Sequence, residues 1–133
     1  MAGASPAPGA GPSLPIYRLP VYNDRMLREP TFLILAAVAP GPLHGYGIIQ
    51  SVEELSEGRV RLRAGTLYAA LDRLVGEGSL LVDHEAVVEG RLRRYYRITD
   101  GGLDVLRCGV ERLEADCSAA RTQLARRAAL ELA

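Results

Sequence analysis

The chain contains no lysine, no tryptophan, one phenylalanine and two cysteines. All 16 of its basic residues are therefore arginine. Genome composition can produce such a bias, but arginine is also the better fork for phosphate oxygens and base edges. Sixteen acidic residues balance it to a formal net charge of zero, so bulk charge argues neither for a polyanionic partner nor against one. Cys108 and Cys117 have no CxxC spacing, which is consistent with a reducing cytosol. His44 and His84 lie apart without metal-ligand spacing; they read as a helix-start residue and a surface strand residue, and no metal or other cofactor is expected. No apolar run approaches the ~20 residues needed to span a bilayer, and the N-terminus lacks a charged and then apolar leader. The expected location is the cytoplasm, without membrane contact. A Gly-rich phosphate loop, a nucleophile elbow and a paired His-Glu motif are also missing, so an enzyme is not expected.

What is present is 48% hydrophobic, the content of a folded soluble protein. The length of 133 residues accommodates one domain and a tail. Residues 1–22, rich in Ala, Gly and Pro, have too few apolar anchors to offset their ordering entropy and read as a disordered tail. Leu27 and Arg28 are compatible with a short turn ahead of the first helix. From Pro30, the run Thr31–Ala39 is apolar on nearly all sides, and proline suits a first helical turn. Such a helix needs cover on more than one face, and Phe32 and Leu35 are candidates to face a second subunit. Pro40-Gly41-Pro42 stops it, and a second helix begins near His44. There Ile48, Ile49, Val52 and Leu55 form the inner stripe. Gly45 and Gly47 suggest a close approach of two helices, with the Tyr46 ring across the gap.

The stretch Arg59–Val75 carries the most information. Arg59, Arg61 and Arg63 alternate with Val60 and Leu62, the pattern of a short strand. A helix comes next with Leu67, Leu71 and Leu74 on one buried face. At 100° per residue, Thr66, Ala69 and Arg73 fall opposite, with Tyr68 and Asp72 on a flank. Then come two strand-like runs, Leu80–Val88 and Arg91–Thr99, joined at Glu89-Gly90 as a hairpin. In the second run, Arg91, Arg93, Tyr95 and Arg97 point away from the core-facing set Leu92, Arg94, Tyr96 and Ile98. Between Arg59 and Arg97 eight arginines meet five acids, a net +3 inside a neutral protein. Thr99-Asp100 caps a last helix. In it Leu103, Leu106, Val110, Leu113, Cys117, Ala120 and Leu124 repeat at spacings of three and four, a seam suited to self-association.

Helix, helix, short strand, helix and hairpin is the order of a winged helix-turn-helix, mainly α with a small β-hairpin, in which the third helix enters the major groove. The segments His44–Ile48 (HGYGI), Ala64–Leu74 (AGTLYAALDRL) and Gly90–Gly102 (GRLRRYYRITDGG) resemble the PadR family of bacterial transcriptional regulators. The resemblance runs from Glu29 to about Glu114. It implies a homodimer, usually a repressor, held by its C-terminal helix against the partner's N-terminal helix. Many relatives have proline where this chain has Ala64 and Ala69, which alters the groove-facing surface while keeping good helix formers. The C-terminal helix resembles that of the compact branch.

Double-stranded DNA as partner gives these residues roles. Gly65 and Thr66 open the helix, where free N–H groups and a hydroxyl can hold a phosphate. Tyr68 reaches the backbone through its hydroxyl. Ala69 and Arg73 are candidates for base edges, a methyl on thymine and a fork on guanine. Arg61 and Arg63 approach the helix, and Arg91, Arg93 and Tyr95 supply wing contacts. Residues 23–99 would form the DNA-binding domain and 100–133 the dimerisation helix. With no aromatic after Tyr96, a ring-stacking pore for a small-molecule effector is not expected. The alternative class is a winged helix used only for protein contact.

Overall fold

A computed structural model describes residues 29–133; the expected tail and the turn at Leu27 and Arg28 lie outside the described residues. The elements are α1 (Glu29–Val38), β1 (Leu43–His44), α2 (Gly45–Leu55), α3 (Ala64–Gly76), β2 (Leu80–Val88), β3 (Arg91–Ile98) and α4 (Asp100–Leu132). The chain is mainly helical, with one small antiparallel sheet in the order β1-β3-β2.

The core is built where the three short helices meet the base of the sheet. Ile34 and Val38 of α1, Ile48 and Val52 of α2, Leu67, Leu71 and Leu74 of α3, and Leu80 of β2 are wholly removed from solvent. Each such side chain contributes about 1.5–3 kcal/mol on burial. α1 takes its place in this core on more than one face, as its uniform apolarity demands. Leu35, expected to face a second subunit, is itself buried within the protomer. Phe32, Leu33 and Ala36 keep part of their surface exposed, so of the two α1 candidates only Phe32 is free to meet another chain.

Local chemistry sets the element ends. The Nδ1 of His44 accepts the Gly47 N–H at 3.1 Å and caps α2, satisfying one otherwise orphan amide. Thr99 caps α4 by accepting the Gly102 N–H at 2.9 Å, and its hydroxyl donates to the Gly78 carbonyl at 2.6 Å. Glu89 and Gly90 both have positive φ, 52° and 79°, as a two-residue type I′ hairpin turn requires. Register slips between Val82 and His84, leaving Asp83 as a bulge in the wing.

Three expectations change. Arg59–Arg63 is not a strand: Val60 bonds instead to Ser56, its N–H reaching Oγ at 2.9 Å. The free edge of β3 is taken by Leu43–His44, paired as Leu43↔Tyr96 and His44↔Tyr95. Val60 and Leu62 still pack on the core, as their alternation implied. Leu55, placed on the inner stripe of α2, is 52% exposed at the helix end. The close approach at Gly45 is real, but the ring across it is Tyr68 of α3, whose hydroxyl occupies the space a Gly45 Cβ would need. Tyr46 is exposed.

The last helix has two regimes. Gly102, Val105 and Gly109 are buried against the domain, and Gly102 lies so close to the Ser79 carbonyl that any side chain would collide. From Val110 onward every residue is exposed, Val110, Leu113 and Leu124 among them.

Candidate nucleic-acid interface

α3 buries Leu67, Leu71 and Leu74 and turns Gly65, Thr66, Tyr68, Ala69 and Asp72 outward. Its first turn carries no side-chain cap and no acidic residue. The N–H groups there, with the Thr66 hydroxyl, face outward with the positive end of the helix dipole behind them. Arg63 occupies the capping position, extended and exposed.

The arginines divide by what already holds them. Arg61 lies 3.6 Å from Glu53, Arg94 3.2 Å from Glu85 and Arg97 3.4 Å from Asp83. Arg59 donates to the Ser56 carbonyl at 3.4 Å. Arg63 and Arg91 have no ion-pair or hydrogen-bond partner among the described residues. The arginines left open to a partner are therefore Arg63 at the start of α3 and Arg91 at the tip of the wing.

Arg73 is not on the outward face. Its Nη2 donates to Thr31 Oγ1 at 3.0 Å, and its Nη1 lies 3.5 Å from Glu77. Thr31 is 5% exposed, so the guanidinium braces α3 against the first turn of α1. The centre of the outward face is occupied by Gly65, Ala69 and Asp72 instead. Asp72, a flank residue by helical angle alone, shares a cleft of about 640 Å3 with His44, Tyr68, Glu85, Arg91 and Arg94, between α3 and the wing.

The wing also departs from simple alternation. Arg91 and Arg97 are exposed, but Arg93 and Tyr95 are half-buried against β1. Arg93 Nη1 stands 3.2 Å from His44 Nδ1 and 2.9 Å from His44 Nε2. Nearly equal distances to both ring nitrogens place it over the imidazole face, not in line with either lone pair. The Tyr95 ring meets His44 edge-on at 5.3 Å and stacks on His84 at 4.4 Å. Burial, then the neighbouring Arg93 charge, holds the His44 pKa below its ordinary value. Toward the tip the strands outrun the core. Val87 and Leu92, cross-strand partners, are 71% and 67% exposed, although Leu92 belongs to the set assigned to the core.

Of the seam residues, Leu103 and Leu106 are half-buried on their own domain, and Val110, Leu113, Cys117 and Leu124 are exposed. Burial, with Glu111 and Asp104 nearby, pushes the Cys108 thiol up, away from thiolate chemistry. No helix among the described residues is long and apolar enough to cross a membrane. The Arg93–His44–Tyr95 cluster leaves little trace in the sequence, because its signal is a two-residue strand.

Comparison with known proteins bears on what this surface is. A transcriptional regulator of Mycobacterium tuberculosis is 45% identical over 69 residues, 52% of this chain and 61% of that protein; the chain thus matches about three-fifths of its relative's length. A transcriptional regulator of Clostridium thermocellum has the same fold, with a TM-score of 0.62 and 25% identity over 75% of this chain and 97% of that one. Bacillus subtilis PadR, solved in complex with operator DNA, superimposes with a TM-score of 0.51 at 23% identity, covering 57% of this chain and 43% of that one. Residues 34–108 match the transcriptional regulator PadR-like family. The chain belongs to that family.

Proposed function

We propose that the protein regulates transcription as a homodimeric repressor, with α3 of each subunit in the major groove of an inverted-repeat operator and the wing on the flanking backbone. The observation that carries this reading is the uncapped, outward-facing start of α3 beside Arg63, with Arg91 across the cleft, both without partners among the described residues. Backbone N–H groups of Gly65 and Thr66, the Tyr68 hydroxyl, Arg61, Arg63 and Arg91 would meet phosphate. Ala69 would meet a thymine methyl. The Asp72 carboxylate would accept from a cytosine amino group. Arg73 serves as a brace in this reading. Dimerisation would use the seam from Leu103 to Leu124 with Phe32, since its apolar positions Val110, Leu113 and Leu124 stand exposed on α4. Two-fold symmetry would then set half-site centres about one helical turn, or a multiple, apart.

A mobility-shift salt series on the protein's own promoter region tests it. Six or more phosphate contacts across two subunits give a slope of log affinity against log salt of roughly −5 to −7. A slope near zero supports the second reading, a protein-contact module. The feature that favours that reading is the exposed Val87–Leu92 pair at the wing tip. Placing charge at Leu106 and Leu113 is expected to abolish the dimer by light scattering; an unchanged folded dimer would remove the seam from the interface.

A further inference from the structure

We propose that His44, in its neutral form, is the positioning residue that seats the wing on the helix-turn-helix, and that its protonation releases the wing. This rests on the reading that the wing meets DNA. One imidazole performs three tasks. Its Nδ1 accepts the Gly47 N–H at 3.1 Å and caps α2, which assigns the ring proton to Nε2. Its face carries the Arg93 guanidinium, and it makes a T-shaped contact with the Tyr95 ring. Arg93 and Tyr95 both come from β3, the strand that continues into the wing tip, so the ring joins the first residues of α2 to the wing.

Protonation opposes two of these tasks at once. An imidazolium has no lone pair on Nδ1, so the Gly47 amide loses its acceptor. It also sets a second positive charge directly beneath Arg93. No carboxylate among the described residues bonds to the ring to offset this. From α2 its neighbours are Tyr46, parallel at 6.5 Å, and the Gly47 amide. From β3 they are Arg93 and Tyr95. Asp72 and Glu85 line the adjoining cleft without bonding to the ring, and Glu85 is held by Arg94. His84 touches only the far side of Tyr95 and has its own carboxylate, Asp83, which also holds Arg97.

Burial and Arg93 set the folded value of His44 below its ordinary one. A histidine shifted in that direction contributes stability that is complete above the ordinary histidine value and is lost as pH falls through the folded value. Wing placement takes the same course.

The test uses the full-length protein at constant ionic strength between pH 8 and 5.5. Wild-type affinity for its operator is expected to fall with pH at a slope of up to about one log unit per pH unit and subunit, the limit for one linked proton. His44→Asn keeps a capping acceptor, since asparagine is a good cap, yet cannot titrate. Its affinity is expected to be lower at pH 8 and flat with pH. His84→Asn is expected to retain the wild-type pH dependence. In the free protein, the Gly47 amide and Arg93 side-chain NMR signals are expected to titrate together with the His44 ring. A pH-dependent His44→Asn, a flat wild type, or Gly47 and Arg93 signals that ignore the His44 titration would overturn the proposal. Joint titration in a protein that binds no DNA at any pH would uphold the lock and reject the DNA reading alone.

Discussion

The recognition-type helix and the wing each carry arginine, and they use it in opposite ways. On α3, Arg73 is drawn into the fold, bonded to Thr31 and Glu77 and largely buried. On the wing, Arg91 is exposed and has no partner among the described residues. The count of arginines is therefore a poor guide to the charge available to a partner. Position along the side chain's reach decides it: a guanidinium near a buried hydroxyl is captured, and one on a strand beyond the core is not.

Three substitutions sharpen the contrast. Arg73→Ala has the largest effect and it is on stability. Leaving the buried Thr31 hydroxyl without its donor costs about 1–3 kcal/mol, readable as a fall in the urea midpoint, while the DNA motif selected from random sequence stays the same. A changed motif at unchanged stability would return Arg73 to base reading. Asp72→Asn comes next. It touches no bond within the described chain, so stability is expected to hold within about 0.5 kcal/mol. Preference at one position per half-site should move from cytosine toward adenine, because an amide pairs with adenine, worth about 1–3 kcal/mol of discrimination. Selection from random DNA reads this directly, and an unmoved preference would take Asp72 out of the groove. The smallest effect is Arg91→Ala, which should weaken all sequences alike and flatten the salt slope by about one unit per subunit. A loss confined to one base would make the wing tip a reader.

Much of this architecture was legible. The Leu67, Leu71, Leu74 stripe, the Glu89-Gly90 turn and the Thr99 cap are local signals, and each stands where its pattern placed it. The misses share a physical origin. Helical angle fixes where the Arg73 Cβ points, but two further methylenes and Nε carry its guanidinium around the helix to Thr31. Alternation at Arg59–Arg63 reports an extended chain with two residues inward; it does not report a pairing partner, and Ser56 supplied a local one. An α1 that is apolar all round gives no indication of which side meets the core, so Leu35 could not be told from Phe32. β1 is two residues long, too short for any periodicity, and with it went the clue to His44, Arg93 and Tyr95.

With the proposed dimer, the two regimes of α4 would make dilution a variable of this protein's structure. Its first turns, ending at Gly109, draw helical order from the domain beneath them, while residues 111–132 are exposed throughout. Helices in proteins draw most of their stability from tertiary packing, so whatever covers the seam would add to the order of this arm. With a second subunit as that cover, the melting midpoint would climb with protein concentration. At low copy number the exposed arm would fray and become the first site open to a protease. Abundance would then set how long each copy survives as well as how many copies there are.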